Sequence, residues 1–466
     1  MLKGSSFKMI LMQRVSRWLD VWPRKYRLHL QKALLLYIAF EIFSYISFLK
    51  QWCHLSNFRT PLGATFDHAR YRAVFAHMIR REARERPKSM QRWLESCFYS
   101  VPIQRILRKD VERWLRFFLT VSEDFETPHS GVERVGDEVV SAATDEAAAL
   151  ASELEQHLDI SFPSHGQALD FIRINSPVTN HYPMCPLFAP LPFRLLRSSA
   201  RSVAEFIFKR CFRFKSWLDP KTGVIYLYRC PRHDEGHGER GLIFFHGIGA
   251  GLFPYLHLLL ALLQLYQGIL IFAELPGLSG PWRDYTSMRT TPYPRADELA
   301  ESTARLRVRL GLKELNGVGH SAGAMTLMCI TKYRPAIFDR LVLLEPPVFF
   351  FESTVGWPSF SAQANYGRLF WLLCTGSLRK FVTTIAFSDL NQQHWLHHSI
   401  YFMEFLHWED TWTDSRVLVV AGEQDHAVSP ELGAWLASVL PEIRVQTHPG
   451  GHGGILFPQR FSWTAR

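Results

Sequence analysis

The chain has 466 residues, 47% of them hydrophobic and 14% aromatic, and a formal net charge of +10. That apolar share excludes a mainly disordered protein, and the length allows more than one unit around a large core. The positive charge suits an anionic membrane surface or nucleic acid, or simply solvates helix faces; with no helix-turn-helix or RNA-binding signature, no nucleic-acid partner is expected.

In chain order, residues 1–122 read as a helical, basic N-terminal region. Aromatic residues (Trp18, Trp22, Trp52, Trp93, Trp114) recur among apolar positions at i, i+3 and i+4 spacing, as in Trp114, Phe117 and Phe118. Within this region Ala33 to Leu49 is an apolar run of 17 residues between Lys32 and Lys50, at the short limit for crossing a bilayer. Glu41 lies near its middle, which is costly in hydrocarbon. Tyr37, Glu41, Ser44 and Phe48 share one helical face. Three readings stay open for residues 33–49: a membrane span, an interfacial helix, or a helix buried on the following domain. The segment before this run is too long and too basic for a secretory signal. An intracellular, membrane-associated protein is therefore expected.

Residues 123–150 are acidic and read as a flexible insertion with a short Ala-rich helix; from Glu123 to Asp159 the one Lys or Arg is Arg134. Residues 151–222 read as a helical and proline-rich connector. The 7 cysteines lie without C-x-x-C spacing, which argues for reduced thiols rather than a disulfide framework or a zinc site.

From Gly223 the pattern changes. Short β-favouring runs, most of them continuously apolar, cover Gly223 to Arg229, Gly241 to Phe245, Gly268 to Ala273, Leu315 to Val318, Arg340 to Leu344, Arg416 to Val420 and Ile443 to Thr447. Helical stretches alternate with them at Tyr255 to Leu265, Arg295 to Leu310, Ala322 to Lys332 and Pro430 to Leu440. The alternation predicts a mostly parallel, doubly wound α/β sheet over residues 223–466. It stops over residues 347–415, a segment rich in Phe and Trp and the natural place for a helical lid over the C-terminal edge of the sheet.

The chemistry centres on Gly319-His320-Ser321-Ala322-Gly323, a G-x-S-x-G stretch between a strand and a helix. A serine exposed on such a sharp turn needs small neighbours at minus two and plus two. A serine hydroxyl also needs a base to take its proton and a carboxylate to orient that base. Asp425 follows the strand that starts at Arg416, and His452 lies in the glycine-rich loop after the last strand. Ser321, Asp425 and His452 are thus the candidate catalytic residues, in the order Ser, Asp, His. Glu423 is the alternative acid and His426 the alternative base. His448 ranks lower because it precedes a proline and lies closer to the strand. For the oxyanion, one N–H is expected from Ala322 and the other from the loop His246 to Gly251, at Ile248 or alternatively Gly249. His246 is expected to be structural. This chemistry needs no metal or cofactor.

These motifs, with His246-Gly247, Gly422-Glu423-Gln424-Asp425 and Gly451-His452-Gly453, resemble those of serine hydrolases of the α/β-hydrolase fold. More loosely, Glu274-Leu275-Pro276, Leu344-Glu345-Pro346-Pro347 and the aromatic helical N-terminus are similar to lipase-like hydrolases of fungi and other microbial eukaryotes. The resemblance implies the α/β-hydrolase fold and cleavage of a carboxylic ester. The apolar lid residues add an apolar ester or lipid as the expected substrate. An acyltransferase using the same triad, or a scaffold that binds an apolar ligand without catalysis, are the alternatives.

Overall fold

The computed structural model describes residues 68–98, 101–120, 137–169, 199, 202–230, 239–248, 251–276, 278, 293–347, 416–425, 428 and 432–454. The apolar run 33–49 and nearly all of the expected lid lie outside the described residues. Among the described residues, no helix is long and apolar enough to cross a membrane.

Four helices come first: α1 (His68–Glu85), α2 (Pro87–Cys97), α3 (Arg108–Thr120) and α4 (Asp137–Leu158). Pro87 separates α1 from α2, because a ring without an N–H is tolerated in a first turn and not inside a helix. On α3, Val111, Trp114, Leu115, Phe118 and Leu119 are all buried, and their spacing makes one apolar stripe. Trp114 meets Trp93 of α2 edge to face at 4.9 Å, and Phe118 stacks on Phe75 of α1 at 5.5 Å.

Of the segment 123–150 the described part is residues 137–150, and the Ala-rich helix expected there, α4, is longer than the sequence suggested. It runs 22 residues, through the expected boundary at residue 150. Its stripe of Ala143, Ala147, Leu150, Ala151 and Leu154 is buried. Acidic side chains beyond residue 150 serve its polar side: Glu153 accepts from Arg80 at 2.8 Å, and Glu155 accepts from Arg108 at 2.5 Å. Small residues on the buried stripe let neighbouring helices approach closely.

The sheet has eight strands: β1 (Lys215–Leu218), β2 (Ile225–Arg229), β3 (Arg240–Phe245), β4 (Ile269–Glu274), β5 (Glu314–His320), β6 (Arg340–Leu344), β7 (Val417–Gly422) and β8 (Arg444–His448). Their spatial order is β1-β2-β4-β3-β5-β6-β7-β8. β2 pairs antiparallel with β1 and with β4, and every pair from β4 to β8 is parallel. The expected mostly parallel, doubly wound sheet is present. It begins before Gly223, however, because β1 lies ahead of that boundary. β1 is a short, largely exposed edge strand with no apolar alternation to betray it.

Helices α5 (Leu256–Leu265), α6 (Ala296–Arg309), α7 (Ala322–Tyr333) and α8 (Leu432–Val439) connect or flank the strands. Successive residues of β3 serve opposite faces, as a period of two requires. Ile243 and Phe245 join Leu299 and Leu306 of α6 and Leu327 of α7 in one cluster, while Phe244 joins Leu259 of α5 in another. The first cluster also takes in Phe75, Trp93, Trp114 and Leu150, so the N-terminal helices share a core with the sheet. The Arg86 guanidinium lies over the Trp435 ring of α8 at 5.2 Å, a cation–π contact across the same boundary.

Candidate active site

The spatial order puts β3 between β4 and β5, so the connections leaving β3 and arriving at β5 diverge to opposite sides. The crevice at the C-terminal ends of such strands is where doubly wound sheets bind ligands. Ser321 is the first residue after β5 and the residue that caps α7, with φ 53° and ψ −119°. A non-glycine residue there carries about 1–3 kcal/mol of strain, so the surroundings must hold it. They do so through two glycines. A Cβ on Gly319 would lie 2.6 Å from the Gly323 oxygen, and one on Gly323 would lie 2.0 Å from the Phe245 oxygen. The turn therefore has room for no side chain at either position.

The His452 ring lies between Ser321 and Asp425. Its Nδ1 is 2.9 Å from Asp425 Oδ2, and its Nε2 is 3.0 Å from Ser321 Oγ. Nδ1–H donates to the carboxylate, which leaves Nε2 to accept from the serine hydroxyl. Asp425 is buried at 1% exposure, and its other oxygen accepts the Val428 N–H at 2.9 Å. His452 and Asp425 come from loops after β8 and β7, and the register aligns His448 with Gly422. Both loops leave the sheet at one edge, which is why residues 131 positions apart meet.

Ala322 is the first residue of α7, so its N–H has no acceptor within the helix and points out of the N-terminus. Ile248 is half-buried against the core, and Gly249 lies outside the described residues. Gly247 next to Ile248 donates its N–H to Tyr255 Oη at 2.7 Å, which anchors that loop. Glu423 is exposed and accepts from Thr447 Oγ1 at 2.8 Å. His426 lies outside the described residues. His246 is buried, with Nδ1 2.7 Å from the Gly247 oxygen.

The sequence reading missed a second layer beneath Ser321. Glu345, the first residue after β6, is fully buried and has φ 48°. It accepts from His320 Nε2 and from His448 Nε2, each at 2.8 Å, and from the Gly453 N–H. Tyr255 Oη lies 2.8 Å from His320 Nδ1 and donates to it, since its own acceptor role is taken by Gly247. Burial alone would raise the Glu345 pKa; the hydrogen bonds from His320 and His448 outweigh it and hold the carboxyl well below the usual range. Burial lowers His320, which is the neutral ring that donates at Nε2 and accepts at Nδ1. His320, Glu345 and His452 place ligand atoms within 4.8 Å of one another, a spacing a metal ion can use. Each of those atoms is already spent on the hydrogen bonds just described.

Residues 242–462 match the family described as the Alpha/beta hydrolase family. This part of the chain belongs to the α/β-hydrolases. Among solved structures, a hydrolase from Pseudomonas aeruginosa is 18% identical, with TM-score 0.38, over 52% of this chain and 91% of that one. Naproxen esterase from Bacillus subtilis is 13% identical, with TM-score 0.40, over 56% of this chain and 93% of its own. A carboxylesterase from Bacillus subtilis is 14% identical, with TM-score 0.39, over 57% and 93%. No curated protein matches the sequence. As in α/β-hydrolases generally, the strained residue stands on a strand-to-helix turn. Here a buried carboxylate stands beside it.

Proposed function

We propose that this α/β-hydrolase is a serine esterase that cleaves a carboxylic ester with an apolar acyl group, through Ser321, His452 and Asp425. The observation that carries the reading is the His452 ring, with one nitrogen at 2.9 Å from a buried carboxylate and the other at 3.0 Å from a strained serine. A histidine used only for packing has no need of either arrangement.

In this scheme Ser321 Oγ attacks the acyl carbon as its proton passes to His452 Nε2. Asp425 keeps the ring in the required tautomer and stabilises the imidazolium. The oxyanion rests on the N–H groups of Ala322 and Ile248; one such donor is worth about 10²–10³ in turnover. The intermediate collapses, and His452 returns the proton to the departing alkoxide, which leaves as the alcohol. A water then gives its proton to His452 and attacks the acyl-enzyme, releasing the acid and regenerating Ser321. None of these steps requires a metal or cofactor.

The apolar substrate is supported by the Phe- and Trp-rich segment 347–415. Attachment to an intracellular membrane through residues 33–49 is supported by their apolar sequence and by the basic region around them. Deleting residues 1–50 is expected to release the protein from the membrane pellet.

A fluorophosphonate probe and p-nitrophenyl esters of increasing chain length test the reaction. Labelling and turnover are expected in the wild type. In Ser321→Ala labelling is expected to vanish and kcat to fall by about 10⁴-fold or more, with the fold intact. A protein that takes no label and turns over no ester removes the reading in favour of a ligand-binding scaffold. Ester product formed in place of acid, when an alcohol acceptor is supplied, makes it an acyltransferase.

A further inference from the structure

Glu345 takes no part in the scheme above, yet its placement is specific. It stands beside Ser321 at the edge of the next strand, and its left-handed backbone is one that a glutamate adopts only when its surroundings impose it. Its carboxylate is buried at 0% exposure and collects three donors: His320 Nε2–H, His448 Nε2–H and the N–H of Gly453. Gly453 is the residue after the base, and its φ of 75° turns that N–H toward Glu345. Oε2 of Glu345 is also 3.7 Å from His452 Nδ1, the nitrogen that donates to Asp425. Two carboxylates therefore face one ring nitrogen from the ends of two neighbouring strands.

Among the described residues, the groups around this pair are His320, His448 and Tyr255. His320, from β5, accepts from Tyr255 at Nδ1 and donates at Nε2. His448, from β8, accepts the Gly450 N–H at Nδ1 and donates at Nε2. Both hydrogen-bond patterns are those of neutral rings. Tyr255, ahead of α5, is pushed by burial above its ordinary range and stays protonated. The negative charges that face His452 among the described residues are thus Asp425 and Glu345.

We infer that Glu345 is a second acidic group of this site, a positioning residue that holds the His452 loop through Gly453 and shares with Asp425 the stabilisation of the imidazolium. The inference rests on the serine-esterase reading. No bond to Glu345 forms or breaks: the Ser321 proton moves to His452 Nε2, Nδ1–H stays on Asp425, and Glu345 remains ionised throughout.

The test is the pH profile of kcat/KM for p-nitrophenyl ester hydrolysis by the full-length protein and its Glu345→Gln, Glu345→Asp and Asp425→Asn variants. Wild type that neither turns over ester nor takes the fluorophosphonate label defeats the esterase reading itself. With an active wild type, Glu345→Gln is expected to move the ascending limb about one unit to lower pH, because an imidazolium that has lost a neighbouring charge gives up its proton more readily. Glu345→Asp, which keeps the charge, is expected to return most of that shift. A folded Glu345→Gln protein with an unmoved limb overturns the inference, whatever its rate. Should Glu345→Gln fail to fold, Asp425→Asn decides. With Glu345 sharing the role, the loss stays near ~10²-fold; a loss of about 10⁴-fold, as in a site with a single acid, overturns it.

Discussion

Ser321 and Glu345 stand side by side as the first residues after β5 and β6, and both hold a positive φ, 53° and 48°. Each is pinned to the next strand by its backbone. Ser321 N–H donates to the Leu344 oxygen at 3.0 Å, and Glu345 N–H donates to the Val420 oxygen at 2.7 Å. The parallel ladder thus runs one residue past its regular end on both strands. It turns the serine toward the crevice and the carboxylate into the interior beneath it.

Gly323 is the residue this arrangement can least afford to change. Gly323→Ala would drive a Cβ to 2.0 Å from the Phe245 oxygen, which is backbone of the central strand and cannot swing aside. A destabilisation of about 3 kcal/mol or more is expected, read from the urea midpoint. An alanine protein with unchanged midpoint and activity would contradict the close packing of α7 on β3.

Tyr255→Phe removes one oxygen that serves two loops. Gly247 N–H and His320 Nδ1 both lose their partner. Leaving such groups buried and unsatisfied costs about 1–3 kcal/mol in stability. Because Gly247 adjoins Ile248, ester turnover is expected to fall by about 10-fold or more while Ser321 still takes the fluorophosphonate label, consistent with the ~10²–10³ that a full oxyanion donor supplies. Equal stability and turnover in the variant would show that the hydroxyl anchors nothing.

Acidification is expected to weaken the fold in two stages. His320 is depressed by burial, and Glu345 is held down by its histidine donors against the opposing effect of burial. Both folded-state values lie below the unfolded ones, so both contributions are complete above the unfolded values and are lost as pH falls. The His320 contribution begins to go below its unfolded value of 6.5, and that of Glu345 below 4.5. Each group adds at most about 1.4 kcal/mol per pH unit to the slope of stability against pH. Urea midpoints measured from pH 7 to 4 should fall in wild type, and His320→Gln should flatten the upper part of that curve. A midpoint that rises on acidification would mean the neutral His320 assignment is wrong.

Much of the fold was legible because its signals are local. The strands of the parallel sheet are continuous apolar runs, since both faces are covered, and the helices between them keep their own period. The G-x-S-x-G turn was legible for the same reason: two missing side chains are visible in sequence. Elements whose identity depends on distant partners were less legible. Lys215 to Leu218 is a strand only because Ile225 to Tyr228 pairs with it. The alanines of α4 are a buried stripe only because the other N-terminal helices pack there.

The site divides along the same line. The amino-acid sequence alone determined the type of fold and the order serine, aspartate, histidine, because strand ends and glycine-rich turns are written within a few residues. Only the tertiary structure decided that Glu345 belongs with them. Its partners lie 25 residues back at His320 and 103 residues on at His448. Nothing in a Leu-Glu-Pro-Pro stretch says which donors a buried carboxylate will find. That depends on β5, β6 and β8 ending at one edge of one sheet, where a charge removed from water must be met by hydrogen bonds from whatever side chains arrive.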